Sequence, residues 1–453
     1  MDRRRFLCQF GTAALIAATP LRAAAQIAPR GRGTINPADH GVIPDSPADQ
    51  TAAFQTMVDV ASSSGMALFL PGGRYVLSGI RLPSGSVIEG IPGQTRIVSN
   101  GGGPALAARN ARRITLRGIA TEHVPGTEAG SAVDLVEFLN VEDFVIEECD
   151  LLAASGNALR LHGCSGQVRG NTIARAGQSA VYATDSTGLT ITDNTIDQCR
   201  NGGIIVHRYE PGHDGTIVTG NRIRNTGATN GGTGQWGNAI NFFRADNVIA
   251  ANNMISNSAF TAIRGNAVRN MQVTGNTCLE SGETAIFAEF EFRDAIISEN
   301  IIDGAANGIS ATNLDHGGSG ATITGNIVRN LRTAGPYEEP FPGFGTGIIA
   351  EADAAIAGNL VQAAALYGIN AGWGPFLRDV LVSGNTIRDS RFGIGVSAVE
   401  GAGRALISGN IIDARETGIQ AHEWGRPIAP DLLVAPGETP ANIILAGNVA
   451  VSG

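Results

Sequence analysis

The sequence predicts an all-β chain, wound as a single-stranded right-handed parallel β-helix of about 12–13 rungs with a short N-terminal capping helix. Three observations predict it. The composition is strand- and turn-like: 61 Gly, 43% hydrophobic, 5% aromatic and 16% charged residues, with Ile/Val/Ala clusters bounded by Gly, Asn and Asp. Asparagine recurs at 171, 194, 221, 253, 276, 300, 326, 359, 385, 410 and 448, mostly after Gly, Asp or Glu. Nine or ten residues later, in most rungs, comes a small residue and an aliphatic one, such as Ala180-Val181, Gly203-Ile204 or Ala262-Ile263. At 453 residues the chain exceeds a usual single core, but a coil grows along one axis and each repeat buries its apolar side against its neighbours.

The chain opens with Arg3-Arg4-Arg5-Phe6-Leu7, a modest apolar stretch from Phe10 to Leu21, and Ala23-Ala24-Ala25 before Gln26. This is the layout of a cleavable leader, residues 1–25, with the cut near Ala25, and the apolar stretch is too short to remain as a membrane span. The Arg-Arg-x-Phe-Leu pattern resembles a twin-arginine export signal, which implies passage through the twin-arginine translocation machinery and a periplasmic or secreted product. No later apolar run is long enough for a span. The basic residues are all arginine, and net charge is −9; without the leader, which carries +3, it is −12. That balance excludes nucleic acid as an expected partner. Cys149, Cys164, Cys199 and Cys278 fit no zinc or redox spacing and are expected as buried thiols, with disulfides left open by export.

Residues 26–100 are expected to form a cap and the first turns, and residues 101–453 the repeats with a C-terminal extension. A helix-period segment, Ala52 to Ser62, follows Asp49-Gln50-Thr51, with Asp49 or Thr51 as its N-cap. Phe69-Leu70-Pro71-Gly72-Gly73-Arg74-Tyr75 and Ser84-Gly85-Ser86-Val87-Ile88-Glu89-Gly90 come next. This stretch resembles the N-terminal segment of pectate-lyase-like β-helix proteins, in which such a helix covers the open end of the coil. The resemblance implies the fold, not the activity.

Thirteen small-aliphatic anchors can be aligned, from Ala105-Leu106 through Ala132-Val133 and Ala158-Leu159 to Gly418-Ile419. Most intervals are 21 to 27 residues; two stretch to 36 and 39, with the extra residues mainly at 225–237 and 331–345, read as loops on one edge. The Asn column is read as a structural ladder. Alternation along each strand sends the residues one and three after the anchor outward. Those two columns gather Asp134, Arg160, His162, Tyr182, His207, Asn241, Arg264, Asn266 and Glu289, with Arg208 and Arg244 just beyond the strand end.

Arg, His, Tyr and a carboxylate on one elongated face suit an extended, acidic polysaccharide. β-Elimination across a uronic-acid linkage needs a cation to neutralise the carboxylate, a base for the C5 proton and an acid for the leaving oxygen. Tyr182, His207, Arg264 and Glu289 are the candidate catalytic residues; Asp134, Arg160, His162, Arg208, Asn241, Arg244 and Asn266 are the candidate substrate-binding ones. This is lyase or C5-epimerase chemistry. A non-catalytic glycan- or protein-binding coil is the alternative, and a glycoside hydrolase the second alternative, although Glu289 has no carboxylate neighbour in these columns. The Asn-Thr-Asp, Asp-Asp and Gly-His-Gly signatures of polygalacturonase-type hydrolases are missing, and the acidic neighbours that calcium-dependent pectate lyases need are Arg, His and Tyr here. No metal or other cofactor is expected. A second cluster, Trp373 with His422-Glu423-Trp424, offers an aromatic platform for a sugar ring, or packing for the C-terminal segment. As a whole the layout resembles exported bacterial β-helix repeat proteins.

Overall fold

Short aliphatic runs punctuated by left-handed residues fold this chain into strands of a few residues that turn sharply and stack in parallel, as seen in a computed structural model of the protein. The structure describes residues 33–99, 102–124, 132–232, 234–337 and 343–451. The proposed leader, with Cys8, lies outside the described residues.

Each rung visits three faces. The first face is a sheet of sixteen strands among the described residues, running from Thr34–Ile35 to Ile443–Ala446. The second face follows the Asn turn, with strands such as Thr172–Ala174 and Thr195–Asp197. The third carries the small-aliphatic anchors, with strands such as Leu159–His162, Ser179–Thr184 and Ile240–Asp246. Pairing between rungs is parallel throughout the coil, giving a right-handed parallel β-solenoid of about 13 turns.

The core is a set of side-chain columns. Ile204, Ile240, Ile263, Ile286, Ile309, Ile348, Ile369, Ile394 and Ile419 stack over nine successive rungs, all fully buried. Ile297, Ile323, Ile356, Val382 and Ile407 form the matching column of the first face.

The Asn column is a continuous amide ladder. In each step Oδ1 accepts the backbone N–H and the side-chain Nδ2 of the Asn one rung before, as in Asn253 to Asn276, both 3.0 Å. The second Nδ2 proton goes to an inward-strand carbonyl, as from Asn276 to Ala250 O at 2.9 Å. The ladder also explains the residue in front of each Asn. Gly170, Asp193, Asn252 and Glu299 all have positive φ, a conformation that Gly takes freely and Asn or Asp more readily than most. Cys149 stands at the head of the column: its N–H donates to Asn171 Oδ1 at 2.9 Å. All four described cysteines are free and buried.

The capping helix spans Thr51–Ser64 and packs Phe54, Met57, Val58 and Ala61 on the first turns. Its cap differs from expectation. Gln50 is the N-cap, but its side chain caps no helix N–H and instead accepts the Ile43 N–H at 2.6 Å; Asp49 accepts the Thr51 N–H at 2.8 Å, and Thr51 Oγ1 accepts from Ser78 N. No helix among the described residues is long and apolar enough to cross a membrane.

Candidate functional site

Register on the third face is read directly from the pairing. Arg160, Tyr182, Ile205, Asn241, Arg264 and Phe287 form one outward column. His162, Thr184, His207, Phe243, Asn266 and Glu289 form the other. One expected member is misplaced. The rung before Arg160 is anchored by Leu135-Val136, not Ala132-Val133, so Glu137 faces Arg160. Asp134 lies ahead of the strand, where Oδ1 accepts from Asn157 N and Nδ2, each at 2.8 Å. It holds a turn rather than a ligand.

The 36-residue interval is spent in two places: a bulge between His207 and Gly212, and a loop after Thr226 that folds over the third face. This loop makes outward residues buried. Gln235 O lies 3.4 Å from Asn241 Nδ2, and the Trp236 ring lies 6.4 Å from that of Tyr182. Asn241 is thus 2% exposed and His207 7%.

Arg160 stacks its guanidinium on the Tyr182 ring, 4.4 Å from the centroid, and its Nη1 is buried without a hydrogen-bond partner. Tyr182 meets His207 edge-to-face at 5.7 Å, and His207 meets Phe243 at 5.5 Å. Asn241 Nδ2 sits 3.3 Å from His207 Nε2, which therefore presents its lone pair, with the ring proton on Nδ1; Asn241 Oδ1 has no partner. Burial, reinforced by the Arg160 charge, pushes the His207 pKa down to about 3. Burial raises that of Tyr182, against the pull of Arg160. At neutral pH the pair is a neutral imidazole beside a protonated phenol.

A cavity of about 210 Å³ opens here, lined by His207, Gln235, Asn241, Phe243, Arg264 and Asn266. Phe243 and Asn266 also line an adjoining hollow of about 380 Å³ with Arg244, Phe290 and His316. A larger hollow of about 620 Å³ lies on the first face. Its aspartates are exposed, and Asp353 and Asp379 are paired with Arg378 and Arg404, so it offers less chemistry than the smaller cavity.

Arg264 and Glu289, two of the expected catalytic residues, neutralise each other. Nε and Nη2 of Arg264 donate to the two Glu289 oxygens at 2.6 and 2.8 Å, and Asn266 Nδ2 adds a third bond at 2.6 Å. Burial works to lower the Arg264 pKa, but Glu289 and then Glu283 outweigh it and hold it above its ordinary value. Glu283, three residues ahead of the anchor Ile286, was not singled out from sequence. It lies 3.9 Å from Arg264 Nη1 and accepts from Thr261 Oγ1 at 3.1 Å and from Tyr337 OH at 2.6 Å. Tyr337 belongs to the second insertion, so both insertions flank the same face; residues 338–342 of that loop lie outside the described residues.

The remaining candidates line the margins. His162 Nδ1 is 2.9 Å from Thr184 Oγ1. Arg208 folds back to Ser186 O at 3.1 Å and lies 3.8 Å from the buried Asp214. Arg244 covers the Phe243 ring at 4.8 Å and donates to Tyr209 O. Trp236, which sequence reasoning also missed, was signalled only by its place in a long insertion. Among the described residues no group of three or more His, Cys, Asp and Glu side chains could hold a metal ion.

A family model described as right handed beta helix region matches residues 78–223 and 209–376. No protein of curated function matches the chain. Among solved structures, the N-terminal fragment of bacteriophage phi29 gene product 12 is similar over 92% of this chain and 70% of that one, at 13% identity and a TM-score of 0.57. The pre-mature form of the same gene product is similar over 87% of this chain at 12% identity and a TM-score of 0.52; the match spans 57% of its length. The A-module of the Azotobacter vinelandii mannuronan C-5 epimerase AlgE6 matches over 92% of this chain and 99% of that one, at 15% identity and a TM-score of 0.42. Likeness at these identities concerns the fold alone.

Proposed function

The chain belongs to the right-handed β-helix family, and on that premise we propose that it acts outside the cytoplasm on an acidic polysaccharide, by the β-elimination chemistry of a lyase or a C5 epimerase. The observation that carries this reading is the grouping of a buried, unpartnered Arg160 N–H with a neutral His207 and a protonated Tyr182.

In this reading Arg160 takes the uronate carboxylate and stabilises the negative charge that develops on it as the C5–H bond breaks. His207 Nε2 accepts the C5 proton once the Asn241 amide, which occupies its lone pair in the resting site, swings aside. Occupation of Arg160 by a carboxylate also removes one of the two causes that depress the His207 pKa, so substrate binding makes the base stronger. Tyr182 then supplies a proton. Given to the glycosidic oxygen as C4–O4 breaks and C4=C5 forms, it completes a lyase; given back to the opposite face of C5, it completes an epimerase. Hydrolysis by two carboxylates is less well supported, because both oxygens of Glu289 are held by Arg264.

The test is incubation with acidic polysaccharides in deuterated water. The measurements are ultraviolet absorbance of the new double bond, reducing ends, and deuterium at C5. Absorbance and reducing ends rising together establish a lyase, and deuterium alone an epimerase. Binding with none of the three signals would move the protein to the non-catalytic class.

A further inference from the structure

Trp236 lies over the third face, and the two other tryptophans of the chain, Trp373 and Trp424, follow directly after third-face strands. Trp236 lies against Tyr182 in the candidate site. Trp373 and Trp424 lie beside His422, near the C-terminal end of the same face. From the row of Tyr182 to that of Gln420 the pairing runs through nine steps, roughly 43 Å at the usual rung spacing.

The C-terminal pair is built rigidly. Strand Ile411–Glu423 turns back on Arg426–Pro427, with His422 facing Pro427 and Glu423 facing Arg426. The two residues at the tip, Trp424 and Gly425, have φ of +52° and +83°. Left-handed residues of many kinds stand at the corners of this coil, Phe290 and Arg244 among them, so the tip conformation fixes where the indole stands without marking it for a use. The ring of Trp424 lies on Gly374, where an added Cβ would come 2.2 Å from Cη2. Reciprocally, a Cβ on Gly425 would meet the Trp373 ring at 3.1 Å. The two indoles pack at 81° and 6.1 Å, and Phe376 braces Trp424 at 6.5 Å.

Beneath them His422 is fully buried. Its Nδ1 accepts the Gly425 N–H, so Nε2 donates to Asn370 Oδ1 at 2.8 Å. The hairpin is therefore tied down from below, yet Trp424 stays 51% exposed. Packing of the C-terminal segment accounts for His422 and Trp373, not for the open face of Trp424.

We propose that Trp424 is a second glycan-binding platform, which takes one pyranose unit of the same polysaccharide far from the reacting bond. The proposal rests on the reading that this face binds polysaccharide. A fixed indole offers the negative face that the C–H side of a pyranose complements. The exposed ion pair Glu423–Arg426 at its edge supplies an acceptor and donors for the ring hydroxyls. A long chain anchored here is held along the face on which Arg160 and His207 stand, whereas a short oligosaccharide cannot reach both.

The test uses the full chain carrying Trp236→Phe and Trp373→Phe, which leaves Trp424 as the sole tryptophan. Polygalacturonate and alginate are titrated in, and its emission is followed. The expected result is a saturable shift with the polymer, and none with a neutral monosaccharide at the same concentration of sugar units. In the otherwise wild-type chain, Trp424→Ala is expected to weaken polymer binding by about threefold to tenfold at an unchanged melting temperature. His207→Ala, by contrast, is expected to abolish turnover and leave the Trp424 emission shift in place, so the two readings fail separately. No emission shift with either polymer overturns the platform, even if the protein turns polymer over. Unaltered polymer affinity in a well-folded Trp424→Ala protein overturns it as well.

Discussion

The guanidinium of Arg160 rests on the ring of Tyr182, 4.4 Å from its centroid, and keeps one N–H buried and unpaired. Replacing Arg160 by Met keeps the stacking volume and removes the charge. Turnover of an acidic polymer is expected to fall by about 10²–10³-fold in kcat/KM, the usual cost of one electrostatic donor. The His207 pKa should also rise from about 3, because Arg160 is the second cause of its depression after burial. Imidazole chemical shifts followed against pH check this, and a His207 titration that does not move would disconnect the two residues.

His422 and His207 are expected to make the fold acid-labile. Their folded pKa values are depressed to about 4 and about 3, from 6.5. The unfolded chain therefore binds more protons between those values, and stability is lost as pH falls from about 6.5 toward 3. His422→Gln, which retains an amide donor toward Asn370, is expected to lower the acid midpoint seen by circular dichroism.

Glu351 acts in the opposite sense. Burial raises its pKa to about 7, above the ordinary 4.5 of a glutamate, while Oε2 accepts the Leu314 N–H at 2.7 Å. A raised carboxyl favours the folded state at low pH, and that advantage is lost as pH climbs from 4.5 through 7. Glu351→Gln keeps an acceptor without the charge. It should leave stability at pH 4 nearly untouched and increase it at pH 8 in urea unfolding.

Arg264→Met is predicted to be a stability variant before it is an activity variant. It strands Glu289, 2% exposed, and Glu283, 5% exposed, without their counter-charge, a change that costs about 3–5 kcal/mol. The double change Arg264→Met with Glu289→Gln should recover much of that loss in denaturant midpoints. Failure to recover would mean that the loss comes from packing or from Glu283 rather than from an uncompensated Glu289.

Asn276→Ala breaks the amide ladder at its centre. Asn253 loses the acceptor of two bonds, and Ala250 O and Asn300 Oδ1 each lose a donor. The expected loss is about 2–4 kcal/mol. Faster amide exchange should appear first in the rungs on either side.

The pattern of the chain carried most of this architecture and rather less of the site. Register was readable from Leu159 to Ile419 because a corner admits only a small residue before the inward aliphatic. It slipped at Asp134 because Leu135 fills a corner where Ala usually sits, and two pairs within five residues, Ala132-Val133 and Leu135-Val136, then competed. Arg264 and Glu289 were placed in the right columns, yet their mutual neutralisation was invisible. Columns treat neighbours as independent, whereas rungs ~4.8 Å apart bring opposite charges into contact. Trp236 and Tyr337 sit in insertions without periodicity, so nothing in their spacing told which face they would cover.

The unbroken stack of isoleucines from Ile204 to Ile419 makes the separation between Trp236 and Trp424 a quantity set in whole rungs. Excising or duplicating one complete rung near Ser310 would shorten or lengthen that span by ~4.8 Å while leaving both ends locally intact. The coil is in this respect a ruler: the span between its two ends is encoded by the number of repeats rather than by the identity of any side chain.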